Sequence, residues 1–172
     1  LRAYAACPKT PPADVFLLRD QGSDPNPFAD DPKFIFHYAG AYAGNLGRLQ
    51  LAWQLVKSLV QHRYARLIGG HVLLGPLLQP LCKWFKTPLT MMTYGKEVWE
   101  PVAPGQLKAL QEARSIWTIS RYSRDLACGA NGIDPSKFHM LPCVVDGDVF
   151  TPGLPNAELV EKYALAGCRV LM

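Results

Sequence analysis

Apolar and polar positions along this chain follow two periods. Short apolar runs bounded by turn residues predict β-strands over Asp14–Leu18, Lys33–Tyr38, Arg66–His71, Leu89–Thr93, Ser115–Ile119 and Phe138–Val145. Between them the pattern changes to the helical period. The clearest helix is Leu46–His62, where Leu49, Ala52, Trp53, Val56, Leu59 and Val60 recur on one stripe and Arg48, Gln50, Gln54, Lys57 and Gln61 lie off it. That stripe is expected to face the core; a helix lying on a membrane surface is the other reading of the same pattern. Further helices are predicted over Leu73–Phe85, Pro104–Ala113, Arg121–Gly129 and Asn156–Tyr163. Pro104 suits a first helical turn and Ser120 suits an N-cap. Asp20–Pro32 reads as a polar loop, Gly40–Gly47 as a turn of small residues, and Cys168–Met172 as the start of another strand.

Strands alternating with helices at intervals of about 23 to 26 residues mean βαβ units. The expected fold is therefore α/β, with a Rossmann-like, mostly parallel sheet flanked by helices. The chain stops inside a predicted strand, which suggests a piece of a longer protein.

Composition narrows the function classes. The 172 residues carry a net charge of +4, 49% hydrophobic and 19% charged residues. That charge is too mild to argue nucleic-acid binding, and no cluster of Arg and Lys interleaved with aromatics accompanies it. It is compatible with phosphate-bearing ligands or an anionic membrane. Fifteen Pro and fourteen Gly fall between the apolar runs as punctuation. The five cysteines are widely spaced, without a C-x-x-C pair, which argues against a disulfide framework or a zinc site. They read as reduced, mostly buried thiols of a cytoplasmic protein. Cys143 could be a nucleophile, but a buried structural thiol is the simpler reading. The N-terminal segment lacks the charged-then-apolar pattern of a signal peptide. The most apolar stretch, Leu67–Phe85, is interrupted by His71, Gln79, Lys83 and two prolines, so no spanning helix is expected.

Four motifs then stand in order. Gly69-Gly70-His71 ends one strand. Tyr94-Gly95-Lys96-Glu97-Val98-Trp99 ends the next. Ile119-Ser120-Arg121-Tyr122-Ser123-Arg124-Asp125 follows a third, and Leu141-Pro142-Cys143-Val144-Val145-Asp146 leads to Phe150-Thr151-Pro152. In this order and spacing they resemble the N-terminal, acceptor-side domain of retaining GT-B glycosyltransferases of family 4. The likeness covers about residues 66–172 well and residues 1–65 only by topology. It implies one half of a GT-B architecture: residues 1–152 as the acceptor-side domain, without the family's first strand and glycine-rich loop, and residues 153–172 as a linker and the first strand of a truncated donor domain. It also implies transfer of a sugar from a UDP-, GDP- or ADP-sugar to a saccharide, lipid or small-alcohol acceptor with retention of anomeric configuration. No cofactor and no metal are implied. The location implied is cytoplasmic, with room for peripheral contact at the inner face of the cell membrane. The fragment itself is expected to be catalytically silent. Its uncovered sheet is expected to favour a homodimer or poor solubility.

Tyr94 stands where many relatives carry His. A phenol can donate a hydrogen bond, but with a pKa near about 10 it is a poor base at neutral pH. Tyr94 and Glu97 are the candidate catalytic residues; Glu97 would accept hydrogen bonds from sugar hydroxyls. His71, Gly95, Lys96, Trp99, Ser120 and Arg124 are the candidate acceptor-binding residues. Trp99 would stack on a sugar or pack under its loop. Ser120, Arg121 and Arg124 sit at a predicted helix N-terminus, which attracts anions. Asp146 is expected to brace the linker and Phe150 to anchor it on the core. The alternative reading is a non-catalytic α/β binding or assembly module. A sugar-phosphate-binding domain of another enzyme class would need a different glycine-rich loop, and the sequence has none.

Overall fold

A computed structural model describes residues 1–40 and 45–169 of the chain. It forms two compact units, Leu1–Leu141 and Pro142–Met172. The expected turn over Gly40–Gly47 and the strand over Cys168–Met172 fall largely outside the described residues.

The first unit is mixed α/β, and every strand pairing in it is parallel. A short helix α1 (Arg2–Ala6) precedes β1 (Ala13–Leu17) and β2 (Phe34–Tyr38), which pair with one another. Helix α2 (Asn45–Gln61) leads to β3 (Leu67–Gly69), and a single 3-10 turn leads into α3 (Gly75–Phe85). The chain continues through β4 (Leu89–Thr93), α4 (Lys96–Trp99), α5 (Pro104–Glu112), β5 (Ser115–Thr118), α6 (Arg121–Asn131) and β6 (Phe138–Met140). Strands β3, β4, β5 and β6 form a four-stranded sheet in that spatial order. This is the Rossmann-like arrangement that the alternation of strands and helices predicts.

Parallel strands covered by helices are apolar on both faces. Strand β4 follows that rule: Leu89, Thr90, Met91 and Thr93 are all buried. Its two threonines are accommodated by hydrogen bonding. Thr90 pairs with Ser115 on β5 at 2.8 Å, and Thr93 donates to the Trp117 carbonyl. The core gathers Leu51 and Leu55 of α2, Leu78 of α3, Met91, Leu110 of α5 and Ile116. Gly75 lets α3 approach α5 closely, since a Cβ there would come within 2.7 Å of the Ala109 methyl.

A half-buried polar tie fastens the small sheet to α2. Asp14 accepts from the Tyr64 hydroxyl at 2.8 Å and contacts His37 Nε2 at 2.7 Å. Ser58 of α2 completes the chain by bonding Tyr64. Burial is the largest cause raising the Tyr64 phenol above its ordinary range, opposed by Ser58 and reinforced by Asp14.

Several expectations change. The buried face of α2 carries Leu51, Leu55, Ser58 and Leu59, whereas Leu49, Trp53 and Val60, expected inside, are exposed together with Leu46. The helix has apolar residues on opposite faces, and the aliphatic 51-55-59 row wins the core. Strand β6 ends at Met140 instead of reaching Val145. Leu141 still donates to the Thr118 carbonyl, and Pro142, whose ring holds φ at about −65°, follows where the extended strand ends. Of the five cysteines, only Cys82 is buried; Cys128 is intermediate, and Cys7, Cys143 and Cys168 are exposed.

The second unit holds one short helix, α7 (Ala157–Lys162), capped by the Asn156 side chain. Asp146 folds the preceding turn. Its carbonyl accepts from Val149 and Phe150, and its carboxylate accepts from Asp148. Phe150, expected as an anchor, is exposed.

Candidate functional site

The C-terminal ends of β3, β4 and β5 lie side by side, and the candidate residues follow them in a row. The register pairs Gly69 with Met91 and Thr93 with Thr118. The segments that carry His71, Tyr94-Gly95 and Ser120 therefore leave from adjacent strands. Neighbouring strands are about 4.8 Å apart, so these turns share one edge of the sheet. Ligands of open α/β sheets collect at that edge.

The turn after β4 is tightly built. Glu97 bends back so that one carboxylate oxygen accepts from the Tyr94 N–H at 2.5 Å and the other from the Gly95 N–H at 3.0 Å. With both oxygens engaged, its part here is to hold the turn. Tyr94 remains partly exposed at the edge. Trp99 packs beneath Gly95: a Cβ at that glycine would lie 3.3 Å from the indole ring. Its Nε1 donates to Ser123 Oγ at 3.0 Å, and its ring meets Tyr122 edge-on with centroids 5.6 Å apart. Trp99 thus packs under its loop. Lys96 opens α4, whose single turn runs from there to Trp99.

The other two turns are capped by their own side chains. His71 Nδ1 accepts from the Leu73 N–H at 3.2 Å, which leaves Nε2 as the proton-bearing nitrogen of the neutral ring. Ser120 Oγ accepts from the Ser123 N–H at 3.1 Å and starts α6. Arg124, one turn on, is bound to Asp125 through two nitrogens, at 2.8 and 2.7 Å.

Two residues that sequence reasoning missed hold this edge together, and a third lies beside them. Ser123, 1% exposed, accepts from Trp99 and donates to the Tyr94 carbonyl, so it joins α6 to the β4 turn. Asn131, also buried, accepts from the Val102 N–H and donates to the carbonyls of Val98, Glu100 and Ala127. Thr118 has a buried hydroxyl with no hydrogen-bond partner among the described residues, at the end of β5. The readable signal was the row of small and polar positions Ser123, Ala127 and Asn131 on α6, spaced four apart.

Among the described residues no group of three or more His, Cys, Asp and Glu side chains is placed to hold a metal ion, and no helix is long and apolar enough to cross a membrane. No family model matches this chain, and no curated protein matches it in sequence.

Proposed function

We propose that this chain is the acceptor-side half of a retaining glycosyltransferase that acts on a nucleotide-sugar donor. The observation that carries the reading is the row of turns at one sheet edge, with His71, Tyr94-Gly95 and Ser120 following three adjacent parallel strands. Donors of hydrogen bonds at such an edge suit an acceptor rich in hydroxyls. The His71 ring, the Tyr94 phenol and the α6 N-terminus would orient the acceptor. Glu97, Trp99 and Ser123 would keep the Tyr94 turn rigid. The donor and the carboxylates that handle it would come from a second domain, so the chain alone is silent in transfer. The proposed location is the cytoplasm.

The test is sugar transfer from a panel of UDP-, GDP- and ADP-sugars by the polypeptide that joins this chain to a donor-side domain. Tyr94→Phe is expected to lower kcat/KM by roughly tenfold, the worth of one hydrogen bond of about 1.4 kcal/mol. Glu97→Ala should do at least as much by loosening the turn. Turnover that both variants retain would remove this edge from the site. No turnover with any donor would favour a binding module on the same fold.

A further inference from the structure

The outward face of α2 is unusual. Leu46, Leu49, Trp53 and Val60 lie along one stripe and are each more than half exposed, Trp53 at 69%. Opposite them the same helix buries Leu51, Leu55 and Leu59 in the core. A helix apolar on both faces calls for a partner on its outer side.

Charge indicates which kind. From Lys33 to Lys96 the chain has eight Lys and Arg residues and no Asp or Glu, so all fourteen carboxylates lie elsewhere. Lys57 lies within the apolar stripe, and exposed Arg63 and Arg66 follow the helix end. The neighbouring α3 ends in Lys83, Trp84 and Lys86, with Trp84 83% exposed. Two carboxylates beside these elements are already engaged: Asp14 with Tyr64 and His37, and Glu112 with Gln79 of α3. A second copy of the chain would bring cation against cation across this face. An anionic lipid surface supplies both what the cations and what the apolar stripe require.

We infer that the outer face of α2 docks the protein on an anionic lipid bilayer. Leu46, Leu49, Trp53 and Val60 enter the interface, and Lys57 with Arg63 meets the headgroups. The inference stands apart from the transfer chemistry, because binding is read without any sugar donor.

Flotation of the 172-residue chain with vesicles of equal parts phosphatidylglycerol and phosphatidylcholine tests it, beside vesicles of phosphatidylcholine alone. Binding is expected to the anionic vesicles, to weaken in high salt, and to fall by at least about fivefold for each of Lys57→Glu and Arg63→Glu. Leu49→Glu with Trp53→Glu should abolish binding while circular dichroism stays unchanged, since both side chains are exposed. Leu49→Ser with Trp53→Ser is the milder pair should the first misfold. Equal binding to neutral vesicles, retention by the folded double variants, or absence of binding would each overturn the inference. So would a concentration-dependent dimer that the double variant dissociates and that excludes vesicles.

Discussion

Buried amides with every hydrogen bond satisfied are the costliest residues to alter, and Asn131 is the clearest here. Its side chain ties the segment from Val98 to Val102 to helix α6 through three backbone partners, with a fourth bond to Ala127 inside α6. Asn131→Leu would keep roughly the size and strand those groups without partners. The expected cost is about 2–4 kcal/mol, read as a lower urea midpoint with an unchanged slope. A change under about 0.5 kcal/mol would show that water replaces the amide. This residue also marks the limit of what the sequence disclosed at the candidate site. Tyr94, Glu97 and Ser120 were legible because strand ends and helix starts are local features. The row of Ser123 and Asn131 on α6 was readable too, but not what it binds, because most of their partners lie 24 to 33 residues away in the chain. Glu97 was legible as a position but not as a turn brace, since its use depends on how the backbone bends back over it.

At the scale of elements, the types and order of the strands and longer helices followed from periodicity, while the short helices α1 and α4 and the facing of α2 did not. Two apolar rows compete on that helix, and only the neighbouring β-strands and α3 decide between them. Helix α3 had no such ambiguity: Leu78 and Cys82 form its inner row, and Lys83 and Trp84 are left outside. Burial pushes the Cys82 thiol up from near 9 to about 11. The folded state therefore keeps the thiol proton that the unfolded chain gives up first. This contribution to stability is intact below the ordinary thiol range and is lost as pH rises from about 9 towards 11. The thermal midpoint should fall across that window, and by less in Cys82→Ala than in the native chain. Iodoacetamide at neutral pH should modify Cys7, Cys143 and Cys168 and spare Cys82. Equal alkaline sensitivity of the variant would assign the decline to other groups, Tyr64 first among them.

For the molecule as a whole, the decisive feature is that its parallel strands form two sheets where one core would support one. Phe16 and Leu18 beside the small sheet, and Leu67 of β3, pack against the same buried cluster. Yet among the described residues β1 and β3 are not hydrogen-bonded to each other. Unlike β4, β1 has no fully buried residue, and Ile68 of β3 is exposed. In a parallel ladder, alternate residues turn both backbone groups to the same neighbour. Ala13 donates to Lys33 and Leu17 accepts from Ala39, so the odd-numbered residues of β1 face β2. Leu67 donates to Pro88, so Leu67 and Gly69 face β4. The amides of Asp14, Phe16 and Ile68 are thereby left on open edges. In native-state hydrogen exchange these three should exchange quickly, while Val15, Leu17, Leu67 and Gly69 are protected. A further strand parallel to β1 and β3, supplied in a longer polypeptide, should slow the three and leave the others unchanged. The proposed reading, a domain with one more central strand, leads to the same expectation. Protection of Asp14, Phe16 and Ile68 in the monomeric 172-residue chain would mean instead that the two sheets join directly, and the expected additional strand would have no place between them.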